Sequence, residues 1–306
     1  MNIAGWRRPV SAPLLMITAS LLFALMGVYV KFASLHYGAG EIVFYRSLVG
    51  LALMGSILWL RGVSWRTPVP AMHFWRSLTG TTALCLWFYA IGVLPLATAM
   101  TLNYMSSVWI ALFLIGGAVL VGNDKAGLDG RLVTAVMAGF AGVAMVLRPT
   151  IEQQQLWGGL MGLLSGLLAA TAYLQVTALG RVGEPGERVV FYFSLCSLVA
   201  GAGLTVVSGG PHGHTLKGAA LLLAIDVLAT LAQWLMTRAY ATGATLGIAA
   251  LQYLGIAYAF GFGVWLFDDP VTTLSLAGMA LIVVAGVAAT LLRGRTPRSE
   301  ATPTET

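Results

Sequence analysis

Charge is what this chain has least of: Asp, Glu, Lys and Arg make up 9% of its 306 residues, against about a quarter in an ordinary soluble domain. So few charges cannot clothe a water-soluble globule, and that class is excluded. Cysteine is scarce too. Cys85 and Cys196 are the 2 present, and they fall inside apolar runs in different halves, which excludes a disulfide framework and suits small packing residues. Of the 4 histidines, His212 and His214 flank a glycine in a loop; they read as solvated, and two ligands without further donors fall short of a metal site. The chain contains no Gly-rich loop ending in Lys-Ser or Lys-Thr, no GxSxG elbow and no helical HExxH. An ATP-driven pump working alone, a hydrolase of the elbow type and a zinc protease are thereby excluded, and no catalytic residue, metal or cofactor is expected. A receptor or membrane enzyme would need a sensing domain or an acid/base constellation, and neither is present.

What fills the chain instead is apolar sequence, 58% hydrophobic at a mean hydropathy of +0.85. A membrane span takes about 20 such residues to cross roughly 30 Å of hydrocarbon. Ten candidates follow one another near 13–33, 42–60, 74–94, 97–121, 131–148, 156–179, 188–208, 218–240, 244–267 and 271–292. Their connections are short. In lipid each backbone N–H and C=O needs a partner within its own segment, so these runs are helices, and the fold class is an all-α integral membrane protein with ten transmembrane helices. The opening MNIAGWRRPV resembles a secretory signal, but its apolar run is too long and no small-residue cleavage site ends it, so it reads as the first span.

A net charge of +6 raises nucleic acid as a partner, but the cations are placed by topology. With a cytoplasmic N-terminus, all Lys and Arg except Lys31, Arg46, Arg148 and Lys217 fall in inside segments, as the positive-inside rule requires. Arg76, at the entry of the third span, counts with that inside set. Both termini are then cytoplasmic, Asp268-Asp269 sits in an outer loop, and the polar tail 293–306 is expected to be disordered.

The second half reads as a degenerate copy of the first. Val43-Phe44-Tyr45-Arg46-Ser47-Leu48 matches Val190-Phe191-Tyr192-Phe193-Ser194-Leu195, Asn103-Tyr104 matches Gln252-Tyr253, and Ala141-Gly142-Val143-Ala144 matches Ala285-Gly286-Val287-Ala288. This divides the chain into repeats at 1–149 and 150–292. Five helices is an odd number, so the copies enter the membrane from opposite faces. Inverted repeats of this kind supply two conformations of similar energy, open to either side, which is alternating access.

On these features the chain resembles the drug/metabolite transporter superfamily, and within it the EamA-type proteins, over nearly all of residues 14–292. The carriers of the resemblance are the five-plus-five layout, Gly27 with Lys31, the Glu41-to-Arg46 stretch, and the Ala-rich, Gly-punctuated third-to-fifth and eighth-to-tenth segments. Where family members commonly close the fourth and ninth helices with an acid, this chain has Asn123-Asp124 and Asp268-Asp269. The resemblance implies a secondary-active transporter in a bacterial cell inner membrane, with a small-molecule substrate, the lipid bilayer as its other partner, and no nucleic acid. Similar proteins export amino acids, aromatic metabolites or metallophores, or import riboflavin or S-adenosylmethionine; export of a small polar or amphiphilic metabolite is favoured and import stays open.

Ionisable residues inside a membrane are costly, and so point to function. Lys31 lies near the outer end of the first helix, and Arg46 about five residues, roughly 8 Å, inside the outer end of the second. They read as a cationic site for a substrate carboxylate, or else as snorkelling groups or partners of Glu41. The matching positions in the second half are Val176 and Phe193. Asp226 lies about eight residues, roughly 12 Å, from the outer end of the eighth helix, and shares a face with Thr230 and Gln233. It is available to neutralise Lys31 or Arg46, bind an amine, or carry a coupling proton. Asn103, Ser106 and Ser107 share a face of the fourth helix, with Gln252 as the repeat mate; they suit a pore lining or interhelical hydrogen bonds. Trp87, Trp109, Tyr104 and Tyr253 are the aromatics deep enough to stack a ligand. Gly158, Gly162 and Gly166 form a packing stripe in the sixth helix, compatible with a monomer or a homodimer.

Overall fold

Helices that are apolar on every side have no water-facing stripe, and here they pack with large hydrophobic side chains turned outward. Trp59, Val207, Leu216 and Trp265 are 81%, 86%, 91% and 77% exposed, while Glu41, Arg46, Arg76 and Asp226 are buried. That inversion of the soluble pattern is what a hydrocarbon solvent permits. The computed structural model describes residues 11–106, 108–110, 112–113, 130–147, 153–242 and 251–293. Ten helices lie among them: α1 Ala12–Ala33, α2 Ala39–Leu60, α3 Pro70–Val93, α4 Leu96–Tyr104, α5 Gly130–Leu147, α6 Gln153–Arg181, α7 Gly186–Val207, α8 Leu216–Thr242, α9 Leu254–Phe267 and α10 Thr273–Arg293. No strand occurs among the described residues. Among the described residues five segments are by themselves long and apolar enough to cross a membrane: Ala12–Ala33, Ala39–Leu60, Gln155–Arg181, Gly186–Val207 and Leu216–Tyr240. The readings made for residues 1–10, Ser107, Asn123-Asp124, Arg148 and the tail beyond 293 lie outside the described residues.

Proline sets several helix starts, because its missing N–H is not needed in a first turn. α1 and α3 carry it at their first positions, and Pro95 and Pro185 are the N-caps of α4 and α7. For α3 this corrects the expected boundary: the helix begins at Pro70 rather than near 74. Arg76 is therefore well inside the helix and buried.

The main helix pairs are α2 with α7, α3 with α6, α1 with α8, and α5 with α10, with α4 set against α6 and α9 against α1. Exchanging α1–α5 for α6–α10 carries every one of these pairs onto a pair of the same set. The glycine stripe of α6 is occupied within the chain. Gly158 faces Val93 and Leu94, Gly162 faces Leu102, and a Cβ on Gly166 would stand 2.6 Å from Leu102 O and 2.9 Å from Asn103 O. The stripe thus seats α4 and the end of α3, which removes it as a face for a homodimer.

The expected fourth and ninth spans are interrupted at matching places. α4 stops at Tyr104 and a turn at Met105 follows, with Val108 N donating to Met105 O at 2.9 Å. A turn at Gln252-Tyr253 precedes α9, with Gly255 N donating to Gln252 O at 3.0 Å. These i→i+3 bonds tighten the backbone where the amide-bearing pairs Asn103-Tyr104 and Gln252-Tyr253 stand.

Candidate functional site

The inward stripe of α2 runs through Ile42, Val43, Arg46, Ser47 and Gly50, and that of α3 through Arg76, Gly80, Ala83, Leu84 and Trp87. Arg46 from the first stripe and all five residues of the second line a central cavity that Asn103, Tyr104, Tyr173, Phe193, Gln233 and Gln252 complete. Its free volume of about 60 Å³ holds on the order of four waters at about 10–15 Å³ each.

Two guanidiniums share one aromatic ring there. Cζ of Arg46 is 5.3 Å and Cζ of Arg76 is 4.2 Å from the Phe193 centroid. Gly80 makes this geometry available, since a Cβ at that position would collide with the Arg76 guanidinium and stand 3.3 Å from Phe193. Among the described residues neither arginine forms an ion pair within 4.0 Å. Arg46 Nε and Arg76 Nε and Nη1 are buried without a hydrogen-bond partner, as are Trp87 Nε1 and Tyr104 OH. The amides opposite are engaged: Asn103 Nδ2 donates to Ser165 Oγ at 3.0 Å, and Gln252 Oε1 accepts from Tyr240 OH at 3.2 Å. Gln252 Nε2 donates to Tyr173 OH at 3.4 Å.

The α8 stripe is buried as its spacing requires, with Asp226, Thr230 and Gln233 at 2%, 4% and 6% exposure. Gln233 reaches the central cavity, whereas Asp226 lines a second cavity with Tyr45, His214 and Leu222. One Asp226 oxygen, Oδ1, has no partner. Asp226 acts electrostatically on Arg46, but it pairs with neither Arg46 nor Lys31 within 4.0 Å. Tyr253 is buried beside the α9 turn and outside the central lining.

Lys31 and Arg46 line different cavities, so the cationic pair expected of them does not form. Lys31 Nζ instead meets Asp269 Oδ1 at 2.8 Å, and Asp269 Oδ2 accepts from Leu96 N at 2.8 Å, capping α4. The left-handed Asp268, at φ 48°, ends α9 and turns Asp269 toward α1, with Asp269 N donating to Gly263 O at 3.2 Å. Lys31 and Asp269 border a cavity of about 500 Å³ at this end of the bundle. At the same end Glu41 binds neither Lys31 nor Arg46: His212 Nδ1 is 2.8 Å and His212 N 3.2 Å from it. His214 meets Tyr45 OH at 2.6 Å. The two loop histidines are therefore tied to α2 rather than merely solvated, and no metal-holding group of three occurs among the described residues.

At the opposite end Glu184 gathers Arg188 Nη1 at 2.9 Å, His73 Nε2 at 3.1 Å and Thr67 Oγ1 at 3.0 Å. Burial alone would raise the Glu184 carboxyl, but these three hydrogen bonds outweigh it and hold the group below its ordinary value. Arg188 also donates to Ser64 O at 2.7 Å. The start of α7 is thus tied to the α2–α3 loop, as the start of α2 is tied through Glu41 to the α7–α8 loop.

Arg76 is the site residue that sequence reasoning missed. Pro70 carried the signal: a helix begun at its first-turn proline places residue 76 nearly two turns inside.

Apolar helices with outward-facing hydrophobic side chains, closed around a cavity into which two buried arginines reach, are the build of a multi-pass membrane protein. The chain belongs to the EamA-like transporter family, of the drug/metabolite transporter superfamily, whose family model matches residues 10–148. It is 32% identical to the pseudopaline exporter CntI of Pseudomonas aeruginosa, over 91% of this chain and 95% of that protein. It is 25% identical to an uncharacterized transporter of Helicobacter pylori, over 89% of this chain and 92% of that one. A riboflavin transporter of Vibrio cholerae is 26% identical over 76% and 77% of the two chains. A crystal structure at 18% identity shares the fold, with a TM-score of 0.64 over 94% of this chain and 99% of the other.

Proposed function

We propose that this transporter is a secondary-active exporter of a small polar or amphiphilic metabolite, of amino-acid-like, zwitterionic or metallophore type, across a bacterial inner membrane. The central cavity carries this reading, because both halves of the chain build it and polar groups converge there inside an otherwise apolar bundle. Ten spans in two inverted repeats, divided near residue 149 and with both termini cytoplasmic, give the cavity alternating access. Three observations support that arrangement: the pairings that survive exchange of the halves, the turns at Met105 and Gln252-Tyr253, and a family match that ends at 148. Broken helices beside a mid-membrane site are how transporters expose backbone without exposing it to lipid. No reaction is assigned to the chain, and it acts as a carrier rather than an enzyme.

Similarity to a pseudopaline exporter favours export, and the weaker similarity to a riboflavin transporter defines the alternative. The purified chain reconstituted into liposomes loaded with a broad metabolite panel is expected to release one polar class of solute. Release of nothing removes the carrier reading. Uptake of riboflavin or S-adenosylmethionine into expressing cells reverses the direction.

A further inference from the structure

We infer that Arg46 and Arg76 form a carboxylate clamp across Phe193, and that the metabolite carried through the central cavity is an organic anion held there by a carboxylate. The inference rests on the carrier reading and names the chemistry of its substrate.

Both guanidiniums lie against one ring, 5.3 and 4.2 Å from its centroid, so their charges cannot be further apart than those two distances together. Each arginine is at least nine-tenths buried, at 5% and 2% exposure. Stacking on Phe193 returns part of what is lost when such a charge leaves water, but only part. Two like charges this close also repel. A scaffold arginine would be expected to meet an acid. Asp226 stays beyond 4.0 Å of Arg46 and lines another cavity, and Arg76 has no acid within that distance among the described residues. Glu41, Glu184 and Glu187 are engaged at the two ends of the bundle.

Every unpartnered buried group in the cavity lining can donate a hydrogen bond, and all but one can do nothing else. Arg46 Nε, Arg76 Nε and Nη1 and Trp87 Nε1 can only donate, and Tyr104 OH can donate too. Gln252 Oε1 is already taken by Tyr240. A complementary ligand must bring acceptors and negative charge, and a planar carboxylate matches a guanidinium fork in a way that an amine or an alcohol cannot. Phe23, Ala83 and Leu84 give the same cavity apolar wall for a carbon chain, which favours a carboxylate on methylenes over a bare oxyanion.

The full chain in detergent micelles allows a test with three five-carbon probes, glutarate, 1,5-diaminopentane and 1,5-pentanediol, and with inorganic phosphate. Thermal unfolding is followed against probe concentration. Glutarate is expected to raise the melting temperature saturably, the diamine and the diol to leave it unchanged, and phosphate to act more weakly than glutarate. Arg76→Gln and Arg46→Gln should each weaken glutarate binding by about 10- to 100-fold, the usual cost of a lost charge-assisted hydrogen bond. Arg76→Lys should fall between them and the parent chain. Without ligand, Arg76→Gln should melt no lower than the parent, because it removes an unpaired buried charge; an arginine serving only the scaffold would give the opposite. If Arg76→Gln fails to accumulate, Arg46→Gln and Arg76→Lys carry the same comparison. An unchanged melting temperature with glutarate, equal stabilisation by the diamine or the diol, a preference for phosphate, or glutarate affinity unmoved in the variants overturns the clamp. Export of a metabolite lacking a carboxylate removes the clamp and leaves the carrier standing, whereas glutarate binding by a chain that moves no solute does the reverse.

Discussion

Replacing Asp226 by Asn removes a buried negative charge while keeping the side chain's size and shape, so it separates two roles for that carboxylate. In the first, Asp226 exists to neutralise Arg46. The two groups are more than 4.0 Å apart, so at an effective dielectric of about 20 their attraction is worth less than about 4 kcal/mol. Against that loss stands relief of the carboxylate's own desolvation, several kcal/mol for a group that is 2% exposed with Oδ1 unpartnered. The terms offset, and the Asn variant is expected to fold with a melting temperature within a few degrees of the parent. In the second role, the charge alternates as a proton is carried with each cycle. Asn cannot titrate, so accumulation driven by a pH gradient should cease, while exchange of labelled for unlabelled substrate at equal concentrations continues. Both are measured in the same liposomes, once a substrate is in hand. Full gradient-driven transport by Asp226→Asn contradicts the coupling role. Loss of folding, recovered by adding Arg46→Met, favours the ion-pair role instead. The buried run of Asp226, Thr230 and Gln233, longer than one ion pair needs, is the reason for expecting the coupling outcome.

Three further outcomes follow from contacts away from the central cavity. Gly166→Ala places a methyl against two backbone carbonyls at 2.6 and 2.9 Å; neither can swing aside, so a loss of about 1–3 kcal/mol should appear as a lower melting temperature in detergent, and an unchanged one refutes the packing of α4 on α6. Asp269→Ala removes both the α4 cap and the Lys31 partner and should cost about 1–2 kcal/mol, more than Lys31→Met, which leaves the cap in place. The Glu184 carboxyl is held below its ordinary value of 4.5, so its linked stability is complete above about pH 4.5 and lost as pH falls through the lower folded value. Glu184→Gln should flatten that acid limb of the melting curve, and an identical limb in both chains contradicts the assignment.

Among the described residues helix type and approximate position were legible, because a run of some 20 apolar residues has few other fates. Boundaries set by local chemistry were harder. Hydropathy placed the start of α3 near 74 and hid Arg76 among the cytoplasmic cations, although Pro70 marked the true first turn. The buried face of Asp226, Thr230 and Gln233 followed directly from helical spacing. Partner choice did not: nothing local says that Lys31 should reach Asp269, which follows it by more than two hundred residues, or that Glu41 should take His212. Those pairs depend on how α1 sits against α9 and α2 against α7, and packing between distant segments leaves no periodic trace in either one. The turns at Met105 and Gln252-Tyr253 were not legible either, although the aligned Asn103-Tyr104 and Gln252-Tyr253 pairs stand at both, because hydropathy does not distinguish a tight turn from the helix around it.

The most direct measurement compares, by mass spectrometry, the medium around three bacterial cultures: cells making this chain, cells lacking it, and cells making Arg76→Gln at equal abundance in the membrane. A small carboxylate-bearing metabolite that builds up outside the first culture, stays inside the second, and leaves the third much more slowly is the predicted result. Identical media from all three cultures would contradict export through the central cavity.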